Sequence, residues 1–290
     1  MDRRGPRGVW MRVLAVGIVL AALTAVYLLM LSRFHVSEQP GEQHFSATDP
    51  VEPAAEVYFE PVGIDAFNDA LQLRAYLMPN PAASKNAHAA ADRDLTLLVS
   101  HDKTVEELKL ATGDHLASST FEVDLKEGSV THYPLDAYSA RVTAELMEGR
   151  SATRLPVRAT MWEGLLGYSL HSASEPAADP DAVQLKIAIE RSGAFALFAI
   201  CAYAAMVLLA VSALVMCILT FAGVRPAETG LIGSLAAMAF ALPALRDALP
   251  GSPPLGVAAD MWVFLWAELA VVLSLGLVVF KWARAGPGPY

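Results

Sequence analysis

The chain has 290 residues, a formal net charge of −9 and 54% hydrophobic residues, more apolar than an ordinary soluble domain. Residues 36–191 hold 25 Asp and Glu against 12 Lys and Arg, while everything outside holds 5 acids against 9 bases. An acidic middle with basic flanks argues against a nucleic-acid partner, because phosphate binding needs a basic footprint. The two cysteines, Cys201 and Cys217, lie in one apolar run, roughly 24 Å apart along a helix, and that excludes a disulfide between them.

Residues 1–12 form a basic N-terminus with Arg3, Arg4, Arg7 and Arg12. Residues 13–32 follow as a first membrane span, since Val13–Leu31 carries no charge and as a helix is about 28 Å long. A secretory signal peptide is the rival reading. The run is longer than a usual signal core, and Ser32-Arg33-Phe34-His35 offers no small-x-small cleavage site, so an uncleaved anchor is expected. Residues 33–55 are polar, with Pro40, Pro50 and Pro53, and are expected to form a linker.

Residues 56–191 read as a β-sandwich of half-buried antiparallel strands. Period-two alternation recurs at Leu71–Leu77, Phe121–Leu125, Tyr138–Leu146 and Val183–Glu190. Glu56–Val62, Leu95–Val99, Val105–Leu110, Val157–Met161 and Leu166–Leu170 are further strands. Turn signals between them fit the sandwich class. Pro79–Asp94 and Ser174–Asp181 are expected loops, and no cysteine staples this domain, so its own core must hold it.

Three more spans are expected at 193–223, 228–249 and 261–281, with an outer Pro/Gly loop at 250–260 and a tail at 282–290. Pro243 interrupts the third span. The fold class is thus an α+β membrane protein with one N-terminal and three C-terminal transmembrane helices. With the N-terminus cytoplasmic, four crossings put Arg3, Arg4, Arg7, Arg12, Arg225, Lys281 and Arg284 inside, as the positive-inside rule requires. Both termini are then cytoplasmic and the β domain extracytoplasmic. Trp262, Trp266 and Trp282 sit where an aromatic belt is expected.

Glu268 lies within the fourth span, and Arg246 near the outer end of the third is its expected partner. Such a pair is read as a structural register device, with proton or ion coupling as the functional alternative. Gly230, Ser234, Ala237 and Ala241 form a small-residue stripe suited to close helix packing, within the chain or between copies.

No chemistry-bearing motif emerges. His35, His44, His88, His101, His115, His132 and His171 have no zinc-site spacing, and no nucleophile elbow, P-loop or dinucleotide fingerprint occurs. His101-Asp102 is expected to make a turn after its strand rather than half of a catalytic pair. Glu106-Glu107 decorates an exposed strand. No catalytic, cofactor-binding or metal residue is therefore expected, and no cofactor.

Three segments carry a resemblance: Thr131-His132-Tyr133-Pro134-Leu135-Asp136-Ala137-Tyr138, Arg225-Pro226, and the proline-rich run from Leu242 to Val257. With the helix layout, they resemble the actinobacterial membrane proteins grouped as the domain of unknown function 4436 family. The resemblance implies a mycobacterial-type envelope protein and brings no activity. Tyr133-Pro134-Leu135-Asp136 is also similar to an aromatic-Pro-x-Asp turn in the extracellular sandwiches of pentameric ligand-gated channels. Those proteins have four helices after the sandwich and a flanking cysteine loop; this chain has three helices and no such loop. The expected function is a non-enzymatic cytoplasmic-membrane protein presenting its sandwich to an envelope protein, lipid or glycan. A transport or channel component is the alternative, and an ectoenzyme with a dispersed site the third.

Overall fold

The computed structural model describes residues 24–32, 41–46, 53–80, 90–149 and 153–284, with positions 14, 17, 18 and 21 besides. A helix, α1, covers 24–32, and the other described positions before it are helical too. Twelve strands follow among the described residues: β1 Glu42–Ser46, β2 Ala55–Asp65, β3 Ala70–Pro79, β4 Leu95–His101, β5 Thr104–Leu110, β6 Ala117–Asp124, β7 Ala137–Glu148, β8 Arg154–Leu155, β9 Val157–Trp162, β10 Gly164–Leu165, β11 Tyr168–Glu175 and β12 Val183–Arg191. The helices α2 Gly193–Phe221, α3 Thr229–Asp247 and α4 Leu265–Arg284 complete the chain, with a π-helical turn Asp260–Phe264 leading into α4.

The strands form two sheets. One runs β1-β9-β2-β3-β6; the other runs β10-β11-β12-β7-β4-β5, with β8 beside β7. Alternation decides which side chains face inward. Leu71, Leu73, Ala75 and Leu77 of β3 and Leu185, Ile187 and Ile189 of β12 are all 0% exposed, and they belong to one core that both sheets enclose. β5 comes against β6, so the sheets curl towards each other along that side.

Three expectations need correction. The pairing is not wholly antiparallel, because β2 runs parallel to β9. A parallel neighbour requires a long crossover, and the chain supplies it by passing through the second sheet between these strands. The expected linker at 33–55 contains β1, whose five residues pair with β9 from Glu42↔Trp162 to Ser46↔Arg158; its prolines flank the strand rather than interrupt it. Leu166–Leu170 is not one strand, because the chain turns at Gly167 (φ 85°) between β10 and β11. Most of the expected loop at 79–94 lies outside the described residues.

α2, α3 and α4 are each long and apolar enough to cross a membrane, and α3 is the least apolar of them. α1 has nine described consecutive residues, and of the rest of the expected first span only positions 14, 17, 18 and 21 are described. At the far end of the bundle, the Lys281 ammonium donates to the carbonyls of Thr220 and Phe221, satisfying groups that the end of α2 leaves free.

Candidate functional site: the joint between sheets and helices

β12 becomes α2 across one residue, Ser192, and the site is built around that step. The inward face of β12 continues through Val183, Leu185, Ile187 and Ile189 to Arg191, so the same alternation that buries the aliphatics buries a guanidinium. A charge there is tolerated only if paired and hydrogen-bonded. Asp136 meets both conditions. Its carboxylate accepts from Arg191 Nε at 2.8 Å and Nη2 at 2.9 Å, with the two side chains 2% and 0% exposed. The Tyr138 hydroxyl adds a third hydrogen bond to Asp136 Oδ2 at 3.0 Å. The guanidinium also lies over the rings of Tyr133 and Tyr168, 4.7 and 5.0 Å from their centroids.

Tyr133 carries the joint into the bundle. The 3-10 turn Val130–His132, capped by Ser129, delivers it to the cis Tyr133–Pro134 peptide. Its ring is buried with Leu249, Val257 and Met206 in the helical core rather than the β core. Its hydroxyl donates to the Pro250 carbonyl at 3.1 Å. Burial pushes the Tyr133 phenol up to about 12, with Arg191 opposing and Asp136 adding to the rise. Burial likewise raises Tyr138 and Tyr168.

Gly251 (φ 76°) follows Pro250. A Cβ there would stand 2.5 Å from Arg191 Nη1, so the loop approaches the guanidinium more closely than any other residue permits. Ser192 completes the step: its N–H donates to Gly167 O at 2.9 Å, and its Oγ accepts from Phe195 N at 3.4 Å as the N-cap of α2.

A second buried cluster stiffens the loop between α3 and α4. Arg246 Nη2 donates to Pro253 O, Pro254 O and Asp260 Oδ2 at 2.8, 2.9 and 2.9 Å. Asp260 also accepts from the Tyr203 hydroxyl at 2.9 Å and Gly256 N at 3.2 Å. The loop between the two charges is thereby tied into a closed arch.

This arrangement overturns the expected pairing of Arg246 with Glu268. Asp260 stands at the level of the α3 end, whereas Glu268 lies roughly 12 Å deeper along its helix. Glu268 Oε2 is buried with no hydrogen-bond partner among the described residues. In the small-residue stripe, Gly230, Ser234 and Ala237 are exposed and Ala241 is half-buried. Leu235 and Leu242 fill the packed side of α3, and among the described residues Gly230, Ser234 and Ala237 lie outside it.

His101 ends β4, on the same inward face as Leu95, Leu97 and Val99. It stacks on Phe121 with ring centroids 5.8 Å apart, and neither ring nitrogen has a hydrogen-bond partner among the described residues. Asp102 (φ 48°) opens the turn and pairs with Lys126 outside. The two neighbours thus point to different environments, and no charge-relay geometry joins them. Among the described residues, no group of three His, Cys, Asp or Glu side chains is arranged to hold a metal ion.

Sequence reasoning missed Asp136, Arg191 and Asp260. The signal for Arg191 was its odd-numbered place in the β12 alternation, which demands a buried counter-ion. Asp136, in a turn already singled out, was the available carboxylate.

The joint defines a class: a two-sheet β domain bound end-on to a bundle of three apolar helices. Residues 45–187, the β domain, match the family described as Domain of unknown function (DUF4436). Residues 191–285, the helices, match a second, Domain of unknown function (DUF8686). The match over residues 45–187 supports membership of the DUF4436 family. No curated protein matches it.

Proposed function

We propose that this is a multi-pass protein of the cytoplasmic membrane in a mycobacterial-type cell envelope. In this reading it crosses the bilayer four times with both termini cytoplasmic. The β domain stands outside as a non-enzymatic platform for an envelope protein, lipid or glycan. The observation that carries the reading is the Arg191–Asp136 joint, which holds the β domain against one end of the helices. That end also bears the α3–α4 loop, while Arg225, Lys281 and Arg284 lie at or near the opposite helix ends. Basic residues gathered away from the β domain support a cytoplasmic location for that end. The outward-facing rings of Trp262, Trp266 and Trp282 suit the two interfaces.

The test is crosslinking in living cells, followed by purification in mild detergent. A protein, lipid or glycan held through the β domain is the expected result. A clean monomer carrying none of these counts against the platform. A reporter fused to Tyr290 that is active only outside the cell rejects the topology.

A transport or channel component is the second reading. It is favoured by the outward small face of α3 at Gly230, Ser234 and Ala237, by the unpartnered Glu268 Oε2, and by the Tyr133 ring set among the helices. Small residues facing lipid offer no benefit unless another backbone approaches them. Native mass spectrometry decides: a symmetric oligomer supports this reading, and a monomer removes it.

A further inference from the structure

We propose that one acyl chain of a membrane phospholipid seats in the apolar crevice where α1, α2 and the end of α3 meet beneath the β domain. The crevice has a volume of about 620 Å³. Tyr27, Met30 and Leu31 of α1 form one wall, Phe195 and Phe198 of α2 another, and Pro250 the third. A space of this size lies in the range of small-molecule sites, roughly 300–1,000 Å³. Among the described residues its lining is almost wholly hydrocarbon, with no charge to recruit a polar ligand.

Depth selects the occupant. The wall residues lie in the last described turns of α1, the first turns of α2 and just past the end of α3, near the step at Ser192. In the membrane reading, on which this inference rests, that level is the boundary of the outer leaflet. The medium opening onto the crevice is then lipid hydrocarbon, and a chain end restores the contacts that an empty space forfeits.

The crevice is also continuous with the joint. Phe195 packs under the β10–β11 turn, where a Cβ on Gly167 would stand 3.1 Å from its ring. Pro250 presents its carbonyl to the Tyr133 hydroxyl. The β domain therefore grips two walls of the crevice, and an acyl chain between them bears on how that domain is held.

The experiment uses the full chain in mild detergent, with native mass spectrometry and fragmentation of any retained lipid. The wild type is expected to carry one phospholipid. Ala194 and Ala248 also line the crevice, and Ala194→Trp and Ala248→Trp, which fill it, are expected to lower that retention by about ten-fold, equivalent to ~1.4 kcal/mol. Leu208→Trp, on the lipid-facing side of α2, leaves it unchanged. Phe198→Ala, which removes a wall without filling the space, also lowers retention and guards against a folding defect in the tryptophan variants. A lipid-free wild type, a bound polyprenyl chain, or equal retention in Ala194→Trp and Leu208→Trp overturns the proposal. Carbonate extraction of the wild type separates the two failures. A chain that stays in the membrane without lipid refutes only the crevice, whereas one that is extracted refutes the membrane reading itself.

Discussion

Arg191 and Asp136 share two hydrogen bonds of 2.8 and 2.9 Å, and through them the last strand of the β domain is fastened to the turn that reaches among the helices. Both side chains are fully enclosed, so each depends on the other for its charge. Removing one partner leaves an uncompensated buried ion, which typically costs about 3–5 kcal/mol. Asp136→Ala is expected to lower the thermal unfolding midpoint sharply in detergent. The double variant Asp136→Leu/Arg191→Met is expected to lose less than either single change, because it removes both charges together. Additive losses in a double-mutant cycle reject the coupling.

Gly251 tests how closely the loop must approach. Gly251→Ala meets both an unfavourable backbone conformation (φ 76°) and the Arg191 guanidinium, whereas Gly256→Ala (φ 97°) meets only the first. Left-handed backbone strain costs a non-glycine residue about 1–3 kcal/mol. Gly251→Ala should exceed Gly256→Ala in chemical denaturation. Equal losses would mean that the guanidinium moves aside freely.

The Arg246–Asp260 arch separates a charge from a hydroxyl. Arg246→Met strips Asp260 of its counter-ion, a loss of about 3–5 kcal/mol. Tyr203→Phe removes one neutral donor to the same carboxylate, about 0.5–1.5 kcal/mol on the scale of a net hydrogen bond. Limited proteolysis at the loop between Leu249 and Ala259 reports the order of the two effects.

Alkaline pH probes the tyrosines around Arg191. Tyr133 is raised from its ordinary value of 10.0 to about 12, first by burial, and Tyr138 and Tyr168 are raised by the same cause. The folded chain holds these protons more tightly than the unfolded one. Their stabilising contribution is complete below pH 10 and falls as pH rises from about 10 through 12 and beyond. Tyr133→Phe is expected to flatten that decline, at the cost of the hydrogen bond to Pro250. Unfolding midpoints between pH 8 and about 11 give the slope.

His101 offers the opposite kind of variant. Both ring nitrogens are buried without hydrogen-bond partners among the described residues, a penalty of about 1–3 kcal/mol. His101→Phe keeps the stack on Phe121 and removes the penalty, so stability should hold or rise. A marked loss in thermal unfolding would reveal a bound water or proton that the ring requires.

Much of the architecture was legible because strand alternation is local. All nine expected strand regions correspond to strands, with Leu166–Leu170 broken by the turn at Gly167. β8 and β10 escaped because two residues carry no periodicity, and β1 because Glu42–Ser46 holds a single apolar residue, Phe45. The parallel pairing of β2 with β9 escaped for another reason: register between strands about 100 residues apart is written in no local pattern. At the candidate site, Tyr133-Pro134-Leu135-Asp136 and the proline-rich loop were both conspicuous as turns. Nothing in either segment alone said that they touch.

Hydrophobic periodicity by itself determined that strands precede three long apolar helices, since that property depends only on neighbours along the chain. Which carboxylate answers each buried cation was decided by the tertiary structure. Asp136 reaches Arg191 across 55 residues, and Asp260 takes Arg246 in preference to Glu268. Pairing of buried charge depends on distance in space, and only the packed sheets and helices define that distance.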